Sequence, residues 1–186
     1  PLFDGHFMSA HRGCSGAFPE NTLRAFSEAA KAGVRSIETD LSLLADDSFA
    51  VFHDARLGRT VAGDALISSF DRGDLASLDA GALRDPAFAG EPVPALGDIL
   101  LWQQNTGICF NWEIKCHQPD YQRYATALAR ALAKVDPAIT LISSFDEGCL
   151  AAVMPALPQI ARALIAERLP DDWRNIACRL NLDGFH

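Results

Sequence analysis

The sequence has only three lysines, no C-x-x-C pair and no long apolar run. Its five cysteines are an odd number, which disfavours a disulfide framework or a zinc site and favours a reducing, cytoplasmic compartment. No apolar stretch approaches the ~18 residues that a membrane-spanning helix needs, so we expect no stable membrane insertion. The first eight residues also lack the pattern of a secretory signal.

Basic residues are outnumbered by acidic ones, 16 to 24, which gives a net charge of −8 at pH 7. A general nucleic-acid binder needs a basic face that neutralises phosphates, so nucleic acid is not expected as a partner. The sequence also lacks a Walker loop, a dinucleotide fingerprint and a nucleophile elbow. What is present is an ordinary globular mixture, 49% hydrophobic over 186 residues, enough for one domain with a sizeable core.

Short apolar segments alternate with helical patterns along the chain. Seven segments are predicted to be strands, and most are continuously apolar, which is typical of a parallel sheet covered on both faces. The alternation indicates βαβ units and an α/β fold of the (β/α)8 TIM-barrel type. Residues 56–94 interrupt it and are interpreted as a small helical insertion after the third strand. Because a complete barrel typically needs ~250 residues, we expect one domain over 1–186 whose last helix and strand units are missing.

Charged and imidazole side chains come where the first four predicted strands end. The C-terminal ends of parallel barrel strands form the rim at which active sites gather, so these side chains are predicted to converge. They are His11 and Arg12 after the first strand, Glu38 and Asp40 in the second, His53 after the third, and Glu113 and Lys115 in the fourth.

The carboxylates indicate a metal site. Glu38 and Asp40 are two positions apart in a strand and therefore point to the same side. If Glu113 lies on a neighbouring strand, three carboxylates meet, and such a set suits a hard cation, Mg²⁺ or Ca²⁺. Without a cation or a compensating Lys115 they would repel one another. A surface ion-pair ladder on an edge strand is the alternative interpretation.

The histidines and basic residues suit phosphate-ester chemistry. His11 and His53 can act as general acid and general base near neutral pH, or each can simply be hydrogen-bonded at a strand end. The guanidinium of Arg12 can bind a phosphate through two N–H groups, or it can form a rim ion pair with Glu20.

Eight short motifs carry a family resemblance over nearly the whole chain. They are His11-Arg12-Gly13, Pro19-Glu20-Asn21-Thr22, Ile37-Glu38-Thr39-Asp40, Val51-Phe52-His53-Asp54, Leu57-Gly58-Arg59-Thr60, Val93-Pro94-Ala95-Leu96, Glu113-Ile114-Lys115 and Ser143-Ser144-Phe145. In this order and at this spacing the chain resembles the glycerophosphodiester phosphodiesterase family. The later stretch Asp171-Asp172-Trp173-Arg174 is similar to the bacterial cytosolic members.

The resemblance implies a (β/α)8 barrel with a small helical insertion, and metal-dependent hydrolysis of a small-molecule glycerophosphodiester. The products would be sn-glycerol 3-phosphate and an alcohol such as choline or ethanolamine. By position, the metal ligands would be Glu38, Asp40 and Glu113, the acid–base residues His11 and His53, and the phosphate-binding residues Arg12 and Lys115. The chain departs from the family pattern in lacking a segment for the eighth strand and in placing Trp112 directly before Glu113.

Three alternatives remain open at this point. A phosphodiesterase of lysophospholipids would need an apolar groove or a membrane-facing surface, against which the acidic charge and the lack of a basic amphipathic stretch argue. A binding-only barrel would be expected to have lost a histidine or a carboxylate, and none is lost here. The third alternative is an inactive, truncated fragment.

Overall fold

A computed structural model describes residues 8–186 of the chain. Within them, β-strands and α-helices alternate over most of the length. The strands are β1 (Ser9–His11), β2 (Ser36–Leu43), β3 (Phe49–Val51), β4 (Cys109–Lys115), β5 (Thr140–Ser144), β6 (Ala161–Leu164) and β7 (Gly184–Phe185). The helices are α1 (Leu23–Lys31), α2 (Leu96–Thr106), α3 (Tyr121–Ala131), α4 (Glu147–Ala156) and α5 (Trp173–Leu180). The first strand was expected from Phe7, which lies outside the described residues.

Six of the strands form a parallel path in the order β1-β2-β4-β5-β6-β7. Each step along this path crosses over through one helix, which is the repeating unit of a (β/α) barrel. The register pairs His11 with Glu38 and Asp40 with Glu113. The strand-end residues of β1, β2 and β4 therefore lie side by side at one edge of the sheet.

Strand β3 is the exception to this parallel arrangement. It pairs antiparallel with β2, with Val51 opposite Leu41. The connection between the two strands is a short turn in which Asp47 adopts a left-handed backbone conformation, φ 61°. A turn of this length permits only a hairpin return, because a parallel neighbour would require a crossover of a dozen or more residues.

Residues 56–94 carry three short 3₁₀ helices, Ile67–Ser69, Arg72–Ser77 and Pro86–Phe88. Apolar side chains of this segment, among them Ile67 and Leu75, form a small hydrophobic cluster of their own with Phe52. The segment therefore folds against the end of the hairpin rather than joining the main core.

The main core lies between the sheet and its helices. Alternation along β4 sends Phe110, Trp112 and Ile114 to the helix side, where all three are buried. The ring of Trp112 stacks on Phe110 with centroids 4.5 Å apart. Because Glu113 and Lys115 have the opposite parity, the bulky Trp112 packs in the core and does not enter the site. No helix in the described part of the chain is long and apolar enough to cross a bilayer.

Candidate active site

Three carboxylates converge where β2 and β4 run side by side. Glu38, Asp40 and Glu113 each offer an oxygen, and these atoms all lie within 4.8 Å of one another. Asp40 is fully buried and Glu113 nearly so. We call these three residues the carboxylate cluster. The convergence expected from their strand positions is present in the fold.

Negative charge within the carboxylate cluster is unevenly compensated. Both carboxylate oxygens of Glu38 are buried without a hydrogen-bond partner among residues 8–186. Burial, together with the charges of Asp40 and Glu113, raises the pKa of Glu38 to about 8. A buried carboxylate that lacks both partner and proton is costly, so this donor set fits a hard divalent cation ligated by oxygen.

Arg12 and Lys115 both contact the cluster. Arg12 Nε lies 3.1 Å from Asp40 Oδ2, and Lys115 Nζ lies 3.1 Å from Asp40 Oδ1 and also pairs with Glu113. Arg12 additionally contacts Glu20, at 3.0 Å, so the rim ion pair considered from the sequence forms as well. The two positive charges of Arg12 and Lys115 do not fully balance three ionised carboxylates, so the cluster keeps an excess of negative charge.

The β1–α1 loop that carries Arg12 depends on a tight backbone. Arg12 and Gly13 both have positive φ, 57° and 79°. A Cβ at position 13 would lie only 2.8 Å from the backbone of Ala25 in α1, so glycine allows the loop to approach the helix closely. The side chain of Thr22 then caps α1 by accepting a hydrogen bond from the Ala25 N–H, at 3.2 Å.

The two histidines lie in different surroundings. His11 Nε2 is 3.7 Å from Glu38 Oε2, and the side chain is 67% exposed. Partial burial and the neighbouring charge of Arg12 lower the pKa of His11. His53 Nδ1 contacts Asp54 Oδ1 at 2.6 Å. The hairpin return of β3 brings this histidine to the site, because the Phe52 N–H donates to the Asp40 carbonyl at 3.0 Å.

Asn21 is a site residue that the sequence analysis named only as part of a family motif. Its amide Nδ2 donates to Asp40 Oδ2 at 2.8 Å, and its Oδ1 accepts from Thr39 at 2.8 Å. The residue is buried with a left-handed φ of 58°. The motif Pro19-Glu20-Asn21-Thr22 was the available signal, but the contact with Asp40 spans 19 positions of sequence.

A cleft of about 610 Å³ opens beside Glu113 and Lys115, with His117 and Phe145 in its wall. The volume is within the usual range for a small-molecule site. His117, which belongs to none of the family motifs, contacts the Ser42 hydroxyl through Nε2 at 3.1 Å. Burial and the charge of Lys115 lower the pKa of His117.

Comparison with known proteins places this geometry in a family. Residues 11–177 match the model of the glycerophosphoryl diester phosphodiesterase family. A glycerophosphodiester phosphodiesterase of Caldanaerobacter subterraneus is 31% identical over 179 residues, which cover 95% of this chain and 73% of that protein. The protein YqiK of Bacillus subtilis is 30% identical over 178 residues, which again cover 95% of this chain and 73% of that protein.

Solved structures of similar proteins support the same family and fold. A phosphodiesterase of Oleispira antarctica, in complex with the product sn-glycerol-3-phosphate, superposes with a TM-score of 0.91 at 30% identity, over 97% of this chain and 74% of that one. A glycerophosphodiester phosphodiesterase of Agrobacterium tumefaciens gives a TM-score of 0.81 at 25% identity, over 97% of this chain and 75% of that one. The barrel fold inferred from the sequence is thereby confirmed, and the chain belongs to the glycerophosphoryl diester phosphodiesterase family.

Proposed function

We propose that this protein hydrolyses glycerophosphodiesters to sn-glycerol 3-phosphate and an alcohol, in a reaction that depends on a divalent cation. The observation that carries the proposal is the convergence of the carboxylate cluster with two histidines, an arginine and a lysine at one rim of the sheet. The product held by the similar Oleispira antarctica enzyme, sn-glycerol-3-phosphate, supports the substrate class.

Glu38, Asp40 and Glu113 would hold one Mg²⁺ or Ca²⁺ ion. Their fit rests on the all-carboxylate donor set and on the buried oxygens of Glu38, which have no hydrogen-bond partner in the part of the chain that the structure describes. When bound, such an ion lowers the charge on the phosphoryl oxygens and so favours attack at phosphorus.

The basic residues would bind the substrate phosphate. Arg12 presents a planar guanidinium, which can donate two parallel hydrogen bonds to phosphoryl oxygens. Lys115 presents a compact charge at the mouth of the cleft. Both already lie against the carboxylate cluster, so their positions are set before substrate arrives. Donors fixed in advance stabilise developing negative charge with little reorganisation.

His11 and His53 would carry the protons. One histidine would remove the proton from the attacking hydroxyl. If water attacks, sn-glycerol 3-phosphate forms directly; if the 2-hydroxyl of the glycerol moiety attacks, a cyclic phosphate forms first and a water molecule then opens it. The other donates a proton to the oxygen of the departing alcohol. Because Nδ1 of His53 is engaged by Asp54, Nε2 is the nitrogen that this ring offers for proton transfer.

We also propose that residues 56–94 are an insertion within a single barrel domain, and that they cover this rim. Two contacts with the β1–α1 loop support this placement. The Arg84 guanidinium donates to the Gly16 carbonyl, and the rings of Phe88 and Phe18 have centroids 5.7 Å apart.

The direct test measures release of sn-glycerol 3-phosphate from glycerophosphocholine and glycerophosphoethanolamine, with Mg²⁺ or Ca²⁺ present. We expect turnover that Glu113→Gln abolishes and that a distant surface variant, Arg72→Ala, leaves unchanged. Lysophosphatidylcholine serves as the competing substrate. Turnover of the lysophospholipid alone would replace the proposed substrate class, and no turnover of any diester by a folded chain would refute the proposal.

A further inference from the structure

Arg59, in the segment 56–94, binds two carboxylates that come from different parts of the rim. Its Nη1 and Nη2 donate to the two oxygens of Glu20, each at 2.8 Å. Its Nε and Nη2 donate to the two oxygens of Asp54, at 2.7 and 3.2 Å. We call Glu20, Asp54 and Arg59 the rim network. One guanidinium therefore uses its planar set of donors on both carboxylates at once.

On one side the rim network ends at His53. Asp54 Oδ1 lies 2.6 Å from His53 Nδ1. An ionised carboxylate only accepts hydrogen bonds, so Nδ1 must carry the proton. In the neutral ring this leaves Nε2 as the free acceptor. Arg59 holds the same carboxylate, so the orientation of Asp54, and with it the tautomer of His53, depends on Arg59.

On the other side the network ends at Asp40. Glu20 Oε1 accepts from Arg59 and also from Arg12 Nη1, at 3.0 Å. Arg12 in turn lies 3.1 Å from Asp40. A continuous series of ion pairs thus joins the proposed acid–base histidine to the proposed phosphate-binding arginine.

Both carboxylates of the network are held ionised. Burial opposes ionisation, but the hydrogen bond from Arg59 and the charges of Arg12 and Arg59 outweigh it and lower the pKa of Glu20. At Asp54 burial is likewise outweighed, by the hydrogen bonds of Arg59 and His53, and the pKa is lowered. The contacts are therefore charge-assisted, which makes them about twice as strong as neutral ones.

We propose that Arg59 is a positioning residue for hydrolysis: by holding Asp54 and Glu20 together, it fixes the tautomer of His53 and the place of Arg12. This inference rests on the proposed function. It also gives the segment 56–94 a definite part in the reaction, since Arg59 itself does not have to touch the substrate.

A test compares Arg59→Ala with Arg72→Ala. Arg72 lies in the same segment and also pairs with an aspartate, Asp98, at 3.2 Å, but both partners are exposed and neither belongs to the rim network. We expect Arg59→Ala to lower kcat about 10- to 100-fold, the usual cost of losing an outer-shell partner, with a smaller rise in KM. Arg72→Ala should leave kcat unchanged.

Two readouts separate positioning from simple loss of stability. Guanidinium ion at millimolar concentration should recover part of the kcat of Arg59→Ala, because it can occupy the vacated place between the two carboxylates. Arg59→Lys should remain impaired, since a lysine cannot bind both carboxylates through paired hydrogen bonds. Nitrogen NMR of the five histidines, at about pH 8 where an ordinary ring is neutral, should show His53 as the Nδ1–H form in the unmodified chain and as a mixture in Arg59→Ala.

The proposal is overturned if kcat of Arg59→Ala stays within twofold of the unmodified chain. It is also overturned if guanidinium recovers nothing, or if the His53 tautomer is the same in both chains. The NMR readout needs no turnover. If no glycerophosphodiester is hydrolysed, the proposed function fails, while the dependence of the tautomer on Arg59 is still decided.

Discussion

The carboxylate cluster and the rim network both contain glutamate and aspartate side chains at the same edge of the sheet, yet the pKa shifts of these carboxylates are opposite. In the rim network both carboxylates face Arg59, and the pKa values of Glu20 and Asp54 are lowered. In the carboxylate cluster the Glu38 carboxylate is buried without a hydrogen-bond partner among residues 8–186, and its pKa is raised to about 8. Carboxylates whose negative charge is already balanced by an arginine can orient other groups. A carboxylate whose charge is not balanced provides a binding place for a cation.

The largest effect should come from disrupting the carboxylate cluster. Asp40→Asn keeps the shape of the side chain but removes the charge that faces Arg12 and Lys115. We expect hydrolysis to fall by about 10³-fold, the upper range for loss of one preorganised electrostatic contact. Chelation of divalent cations with EDTA should abolish turnover of the unmodified chain, and added Mg²⁺ or Ca²⁺ should restore it.

Steady-state assays of the unmodified chain and of Asp40→Asn, each with and without EDTA, check this expectation. Glu20→Gln, in the rim network, is the matched variant, and it should still respond to EDTA and to re-added metal. Full turnover in EDTA, with absence of metal verified by elemental analysis, would contradict the assignment of the cluster.

A smaller loss is expected from the histidines. His11→Ala and His53→Ala should each lower kcat by about 10²-fold or more, the usual contribution of a positioned acid or base. KM should change much less, because Arg12 and Lys115 still hold the phosphate. The double variant should lose far less than the product of the single losses if the histidines act as one unit. Weaker substrate affinity with unchanged kcat in both single variants would instead make them binding residues.

Stability of the metal-free chain should depend on pH in two separate windows. The folded-state pKa of Glu38, about 8, lies above its ordinary value of 4.5, so between these values the folded state binds the extra proton. The contribution of Glu38 to stability must then fall as pH rises through this window, by at most a few kcal/mol. The lowered pKa values of His11, His117 and His186 act in the opposite direction. For Glu20 the shift has the other sign, so its contribution is present above its ordinary pKa of 4.5 and is lost as the pH falls through its lowered folded-state value.

Thermal unfolding in EDTA between pH 3 and pH 9 resolves the two windows. The difference in stability between the unmodified chain and Glu38→Gln should fall between about pH 5 and pH 8, and Glu20→Gln should reduce only the acid-side loss. A difference that did not change with pH over this range would contradict the raised pKa of Glu38.

The smallest effect belongs to a surface pair. Arg72 and Asp98 are both more than half exposed, and they contact neither the carboxylate cluster nor the rim network. Arg72→Ala should change the free energy of unfolding by no more than about 0.5 kcal/mol, since exposed ion pairs contribute little. Denaturant unfolding measures this directly. A loss of several kcal/mol would mean that ion pairs across this segment stabilise the fold as a whole.

Much of the site could be predicted from the sequence because it lies on regular strands. Glu38, Asp40 and Glu113 alternate with mainly apolar positions along β2 and β4, and the parity of a strand decides on which side they point. The direction of β3 follows from the connection before it, because the turn around Asp46-Asp47 is too short for the crossover that a parallel neighbour needs. It is the hairpin, rather than a parallel strand, that returns His53 to Asp40.

Contacts between loops could not be predicted in the same way. Arg59 reaches Glu20 across 39 positions, and no periodic pattern relates two irregular segments. Asn21 reaches Asp40 only because its backbone adopts a left-handed conformation. Such contacts depend on how the segment 56–94 folds against the β1–α1 loop, which is a property of the whole structure rather than of a local motif.

Calorimetric titration of the metal-free chain with Mg²⁺ and with Ca²⁺ tests most directly whether the carboxylate cluster is a cation site. We expect one ion to bind per chain, binding to disappear in Asp40→Asn, and binding to persist in Glu20→Gln, whose carboxylate belongs to the rim network. Absence of binding in the unmodified chain, or equal binding by the unmodified chain and Asp40→Asn, would contradict it.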